Sequence, residues 1–242
     1  MIGRKIIHLE RVDSTNNYIA NLISKKEILD GTVVLADEQS CGRGQRGNLW
    51  LSEAGVNLLF STYIESVILS VSEQFFLTKM VALSIVNFLN DKGVKSIIKW
   101  PNDILVQNKK IAGVLIENQV SGHFLKSSVI GIGLNVNQLI FPIGNVTSLQ
   151  LELKEFASIH SVALGLVFYL NKYWEHIANR DFSKLNELYL HNLHRLNQVG
   201  DYQDEFGDFK GVIEGVSDDG KLILKSTERD KLLYDLKEVT FI

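Results

Sequence analysis

No stretch of the 242 residues stays apolar for the roughly 18 positions that a membrane-spanning helix needs. The opening MIGRKIIHLERVDSTN turns polar early, which does not read as a secretory signal peptide. Cysteine is nearly absent: Cys41 stands alone, cannot make an internal disulfide, and fits a reducing cytoplasm. Nothing near it in sequence supplies a base, so it reads as a small buried thiol rather than a nucleophile. A basic excess is missing too. Lysine and arginine number 25 against 28 acids, a formal charge of −3, which argues against a dedicated nucleic-acid binder. The histidines lack a metal pattern. His191 and His194 are three apart in YLHNLHRL, but no third ligand follows at matching spacing, so both read as solvated surface groups. There is no G-x-x-x-x-G-K-[ST] phosphate loop, no internal repeat and no low-complexity linker.

What is present is a glycine loop. In EQSCGRGQRGNLWLSEAG, residues 38–55, Gly42, Gly44 and Gly47 match G-x-G-x-x-G. A dinucleotide turn needs a strand before that pattern and a helix after it, because the helix N-terminus holds the pyrophosphate. GTVVLAD upstream reads as a strand, but no apolar repeat at helical spacing follows Gly47, and VNLLFSTYI reads as a second strand. The segment is strand–loop–strand. Its glycines allow backbone N–H groups close to an anion, and Arg43 and Arg46 carry guanidinium groups able to clamp a carboxylate or phosphate. The alternative is a tight charged hairpin without a ligand, for which this composition is costly.

The rest of the chain alternates in character. RKIIHLE reads as a strand, and DSTNNYIANLI as a helix that Asp13, Ser14, Thr15 and Asn16 would cap, with Ile19, Leu22 and Ile23 inward. LSVSEQFFLTKMVALSIVNFLNDKG is the clearest helix: Ser70 and Glu73 form a capping box, Leu77, Val81, Ile85 and Phe88 a stripe, and Gly93 the stop. Residues 95–137 are short strands broken by Pro101-Asn102-Asp103 and Asn108-Lys109-Lys110. Residues 151–194 turn helical, with a short helix near 183–191, and from about Gly200 Asp-Gly turns separate alternating strands. The expected fold is α+β: a mixed or antiparallel sheet with helices on one side, then a small C-terminal β-barrel.

Two further polar clusters stand out. Lys99, Asn102, Asp103 and Lys110 surround a hairpin whose strand ends bring both lysines to one place, suited to phosphate neutralisation with a bound metal ion or, more plainly, a solvated turn. In GIGLNVN, Gly131 and Gly133 bring backbone against a ligand or let strands pack closely.

Taken in order, DSTN (13–16), GRGQRGNLW (42–50), KWPND (99–103), KIAGVLIE (110–117) and GIGLNVN (131–137) resemble the biotin–protein ligases, from about residue 5 to the C-terminus. The resemblance implies a catalytic ligase domain over residues 1–196 and a small SH3-like barrel over 197–242. It implies a short form without an N-terminal DNA-binding domain, since catalytic sequence begins within the first ten residues. ATP and biotin would give biotinyl-5′-AMP and pyrophosphate, with Mg²⁺, and a lysine of a biotin carboxyl carrier protein or domain would then attack the mixed anhydride. Biotin enters as substrate, and no tightly bound prosthetic group is expected. Neither DNA nor a membrane is an expected partner, a homodimer is open, and the location is cytoplasmic.

Site residues follow from the same resemblance. Ser14, Thr15, Asn16, Gln39, Gly42, Arg43 and Gly113 would hold biotin. Arg46, Trp50, Lys99, Asn102, Lys110, Gly131, Gly133 and Asn135 would hold the nucleotide, with Trp50 on the adenine side. Lys110, Arg43 and Asp103 would carry the chemistry, Lys110 by neutralising the α-phosphate. Asn102 and Asp103 would sit near the metal and the acceptor lysine. Two positions depart from the family pattern, Gln45 and Asn48, where arginine is usual. Rival readings are a lipoate–protein ligase or octanoyl transferase of the same fold, and a non-catalytic biotin-binding protein, against which Lys110 stands. The GRGQRGNLW and KWPND pairing favours biotin. A biotinylated carrier would need a lysine at an exposed hairpin tip beside methionine, whereas Lys79-Met80 lies within the expected helix.

Overall fold

The structure, a computed structural model, describes residues 1–65, 69–226 and 232–242, and the Arg46 side chain also lies outside the described residues. The chain opens with strand β1 (Lys5–Val12), helix α1 (Thr15–Lys25) and strand β2 (Thr32–Gln39). Across the glycine loop follow β3 (Leu58–Glu65) and α2 (Phe75–Asp91). Then come β4 (Ile97–Lys99), β5 (Asp103–Val106), β6 (Lys109–Ser121) and β7 (Phe124–Leu134). Three helices, α3 (Leu149–Leu153), α4 (Ile159–Ala178) and α5 (Phe182–His191), lead to the last strands. These are β8 (Val199–Asp204), β9 (Gly207–Val216), β10 (Leu222–Ser226), β11 (Leu232–Tyr234) and β12 (Thr240–Phe241).

The larger sheet runs β1-β2-β3-β7-β6-β5-β4 and is mixed: β1 and β2 are parallel across α1, and every other neighbouring pair is antiparallel. Successive strand residues face opposite sides of a sheet, and both sides are covered here. Val33 and Leu35 join the main core with α2, α4 and α5, whereas Val34 joins Ile19, Tyr63 and Val129 beneath α1. Helices therefore mostly share one side, with α1 the exception on the other.

Helix α2 is the centre of that core. Thirteen of its 17 residues are buried, so the four-residue stripe read from sequence is too narrow. A helix wedged between a sheet and two other helices buries nearly its whole circumference. The Ser70–Glu73 capping box forms, but it caps a single 3₁₀ turn, Val71–Glu73, ahead of the helix. At α1, Ser14 occupies the N-cap position without a side-chain capping bond. Cys41 is exposed rather than buried, since the loop carries it off the end of β2. His194 is half-buried rather than solvated, and burial pushes its imidazole below the usual range.

The smaller sheet, β11-β10-β9-β8-β12, is antiparallel throughout, as an SH3-like unit requires. It docks by its β9–β10 turn, where Gly220 lies against Phe75 and its carbonyl accepts from Trp100 Nε1 at 2.9 Å. No described helix is long and apolar enough to cross a membrane.

Candidate active site

Two glycines make the floor of the site. Gly113 on β6 and Gly133 on β7 are register partners, so side by side they leave a flat patch of bare backbone. The Trp50 indole lies on it. A Cβ at Gly133 would collide with the indole, and one at Gly113 would sit 3.2 Å from both Trp50 and the Lys110 ammonium. The Trp50 Nε1–H is buried with no acceptor among the described residues, an exception that calls for a partner.

Trp50 reaches this floor because the glycine loop doubles back as a small hairpin. Trp50 N donates to Gly42 O at 2.9 Å and Gly44 N to Asn48 O at 2.8 Å, around a 3₁₀ turn at Gln45–Gly47. Gly47 takes a φ of +84°, and a Cβ on Gly42 would strike the Trp50 carbonyl. The G-x-G-x-x-G spacing thus serves a turn that lays an aromatic ring on the sheet, with no helix for a dinucleotide.

Above the floor stands Lys110. Its Nζ lies 2.6 Å from Asp103 Oδ1 and 5.6 Å from the Trp50 ring centre, an ion pair with a cation–π contact. Asn102, next to Asp103, spends its amide N–H on Val114 O at 2.5 Å, which fixes the turn between β4 and β5. Lys110 is held from behind. Its N–H donates to Asn145 O, its carbonyl accepts from Thr147 N, and Asn135 Nδ2 donates to Thr147 O at 3.0 Å.

The opposite wall is a polar network at the start of α1. Gln39 Oε1 accepts from Thr15 N at 2.8 Å and from Thr15 Oγ1 at 3.0 Å. Ser61 Oγ stands 2.6 Å from Thr15 Oγ1 and from Asn16 Oδ1. Asn16 Nδ2 donates to Glu117 Oε2 at 2.8 Å, and its side chain lies against Gly131 so closely that a Cβ there would stand 2.5 Å from Asn16 Oδ1. Arg43 pairs with Glu117 at 2.6 Å. Just outside, the Asn17 amide beside Asp13 holds that carboxyl below its usual range.

These walls enclose a cavity of about 540 Å³. Most of the residues singled out in the sequence meet there: Ser14, Thr15, Asn16, Gln39 and Arg43 on one side, Trp50, Gly113, Gly131 and Gly133 at the floor, Lys99, Asn102, Asp103 and Lys110 on the other. Two do not reach the lining. Gly42 stands behind Trp50, and Asn135 is buried with its amide committed to Thr147. Arg46, expected at the nucleotide, has its side chain outside the described residues. Conversely, Ser61 and Glu117 carry no sequence signal of their own, although Glu117 closes KIAGVLIE. Nor does the C-terminal segment, whose Lys237, Thr240 and Phe241 line the cavity, with Lys99 Nζ 5.2 Å from the Phe241 ring. No described group of three or more His, Cys, Asp or Glu could hold a metal ion by itself.

Residues 8–135 match the model of the biotin/lipoate A/B protein ligase family, more than half of the chain. The chain belongs to that family. Among curated relatives, the bifunctional ligase/repressor BirA of Bacillus subtilis is 28% identical, covering 97% of this chain and 73% of that protein. The biotin–[acetyl-CoA-carboxylase] ligase of Paracoccus denitrificans is 27% identical over 90% of this chain and 92% of its own. Among solved structures, the biotin protein ligase of Aquifex aeolicus in complex with biotin and ATP is 25% identical, with a TM-score of 0.81 and 99% of each chain covered. That likeness over the whole length takes in the smaller sheet as well as the ligase-family segment.

Proposed function

We propose that this protein is an ATP-dependent biotin–protein ligase, which forms biotinyl-5′-AMP and transfers biotin to a lysine of a biotin carboxyl carrier protein. The observation that carries the reading is the meeting, in one cavity, of the Thr15–Gln39 polar wall with Lys110, Asp103 and the ring of Trp50. The relatives named above as biotin ligases support it.

In the first step a biotin carboxylate oxygen attacks the α-phosphorus of ATP, a P–O bond forms, and the bond to pyrophosphate breaks. Charge grows on the α-phosphate oxygens, and Lys110 is placed to meet it. In the second, the carrier's neutral amine attacks the acyl carbon, the acyl–oxygen bond breaks, AMP leaves with its electron pair, and the nitrogen gives up a proton to solvent. Ser14, Thr15, Asn16 and Gln39 offer donors and acceptors to the ureido ring, and Trp50 offers its face to adenine. Asp103 holds Lys110 in place. Mg²⁺, when bound, would supply further charge neutralisation on the phosphates. One carboxylate and the Asn102 amide oxygen fit an ion that keeps its waters and arrives with the nucleotide. Residues 1–196 would form the ligase domain and 197–242 the barrel that supplies Lys237, Thr240 and Phe241 to one wall.

Pyrophosphate release with ATP and Mg²⁺ tests the reading, comparing biotin with lipoate and octanoate. Release that needs biotin is expected. Release with lipoate instead moves the protein to the lipoate branch of its family, and no release with any acid leaves a binding protein.

A further inference from the structure

We propose that Ser61 is a positioning residue that commits the Thr15 hydroxyl proton to protein, so that Thr15 meets the substrate as a hydrogen-bond acceptor. The proposal deepens the biotin-ligase reading and rests on it, because an acceptor calls for a substrate N–H such as the ureido ring carries. Ser61 is fully buried on β3 and does not itself line the cavity. Its register partner on β7 is Gly131, whose missing Cβ leaves the gap that the Asn16 amide fills.

The direction of the network is set from one end. The Glu117 carboxylate, paired with Arg43 at 2.6 Å, only accepts, so Asn16 presents Nδ2 to its Oε2 at 2.8 Å. Asn16 Oδ1 is thereby turned to Ser61 Oγ, 2.6 Å away. An amide oxygen carries no proton, so the single Ser61 proton goes to it. Ser61 has none left for Thr15 Oγ1, also at 2.6 Å, and accepts there. The one Thr15 hydroxyl proton then has two takers, Ser61 Oγ and Gln39 Oε1 at 3.0 Å. Whichever holds it, Thr15 offers the cavity lone pairs only. A substrate N–H satisfies them, whereas the apolar head of lipoate or octanoate leaves a buried acceptor unpaired, which a polar site penalises heavily. Without Ser61 the Thr15 proton keeps only the longer contact to Gln39, and Asn16 Oδ1 loses its donor.

A double-mutant cycle on the KM for biotin in pyrophosphate release tests this. Ser61→Ala should raise KM about tenfold, with kcat at saturating biotin within about twofold of wild type. Thr15→Val removes the hydroxyl at constant shape and should raise KM about thirtyfold. Because Ser61 acts through Thr15, adding Ser61→Ala to Thr15→Val should change KM by no more than about twofold. Ser61→Cys fills the same space and bonds weakly, so it should raise KM in the same direction and completes the cycle if alanine unsettles the sheet. Effects that multiply in the double variant would overturn the proposal, since a merely structural serine harms both backgrounds alike. So would a wild-type KM in Ser61→Ala, or a fall in kcat at unchanged KM. Release by wild type with lipoate, or with none of the acids, would overturn the biotin reading and the proposal together. Biotin-dependent release with multiplying effects would overturn the proposal alone.

Discussion

Lys110 and Lys79 each set an ammonium against aromatic rings, yet they differ in the charge of the nearest oxygen and in depth of burial. Lys110 lies 5.6 Å from the Trp50 ring, has the Asp103 carboxylate at 2.6 Å, and is a third exposed on the wall of the cavity. Lys79, inside α2, is fully buried, 4.6 Å from the Phe76 ring with Phe75 and Tyr189 also against it. Its hydrogen-bond partner is neutral, Asn186 Oδ1 at 2.8 Å. Burial pulls the Lys79 ammonium down to about 8, with the more distant Asp218 charge opposing. A cation with a carboxylate and a path to solvent is poised for chemistry at little cost to folding. A cation with only an amide, in the core, costs stability and gains nothing catalytic.

The largest effect should come from Lys110→Ala. Losing the group that meets the developing phosphate charge should cut biotin-dependent pyrophosphate release by about 10²–10³. Thermal unfolding should barely move, because a partly exposed pair contributes about 1 kcal/mol or less. A large loss of stability with modest loss of rate would reverse the contrast between the two lysines.

Lys79→Met should do the opposite. The fall from 10.5 to about 8 corresponds to a folding penalty on the order of 3 kcal/mol while the amine is charged. The unfolded chain holds that proton up to 10.5, whereas the folded chain releases it near 8. Wild-type stability should therefore rise with pH from about 8 to about 9.5, above which tyrosines begin to ionise in the unfolded chain. Tyr189 opposes the rise there, since burial pushes its phenol up. Methionine fills a similar volume without the charge, so denaturant titrations should show a gain of about 1–3 kcal/mol at pH 7 and no rise above pH 8. Wild-type stability that stays flat from pH 7 to 9.5 would remove the penalty from Lys79.

Asp103→Asn gives Lys110 the neutral partner that Lys79 already has. The ammonium stays in the cavity but is no longer aimed, and biotin-dependent release should fall about tenfold with stability unchanged. A loss as deep as that of Lys110→Ala would mean that Asp103 itself takes part in the reaction.

The contrast between these lysines was half legible in the sequence. The apolar run around Lys79 puts it inside a packed helix, and the motif that holds Lys110 resembles a ligase site; both signals are local. The strand–loop–strand character of the glycine loop is legible as well, since the absence of a helical repeat after Gly47 is local too. What escaped were contacts made by folding. Glu117 looks like an ordinary polar residue at the end of an apolar strand, and Ser61 like one hydroxyl in a core strand. Phe241 and Lys237 reach the cavity only because the β9–β10 turn docks on Phe75 and Trp100, more than a hundred residues upstream. Cys41 and His194 misled for the same reason: burial of a lone polar residue depends on which segments cover it.

Asn186→Asp is the smallest expected effect and the sharpest test of the comparison, because it gives Lys79 what Lys110 has. Asn186 sits mid-way along α5 with its side chain turned to Lys79, and aspartate is nearly isosteric, with a similar helix propensity. A carboxylate near 2.8 Å favours the charged amine, so the folded pKa of Lys79 should climb from about 8 toward its ordinary value. The window in which the unfolded chain holds more protons then narrows, and the rise in stability between pH 8 and 9.5 should flatten. At pH 7 the net change should stay within about 1 kcal/mol, since desolvating the new carboxylate offsets much of the attraction it brings. Denaturant titrations of wild type and variant across pH 7 to 9.5 read both quantities. A flattened profile with little change at neutral pH would show that the partner's charge sets the difference between the lysines. An unchanged profile would assign it to depth of burial, which this substitution leaves alone.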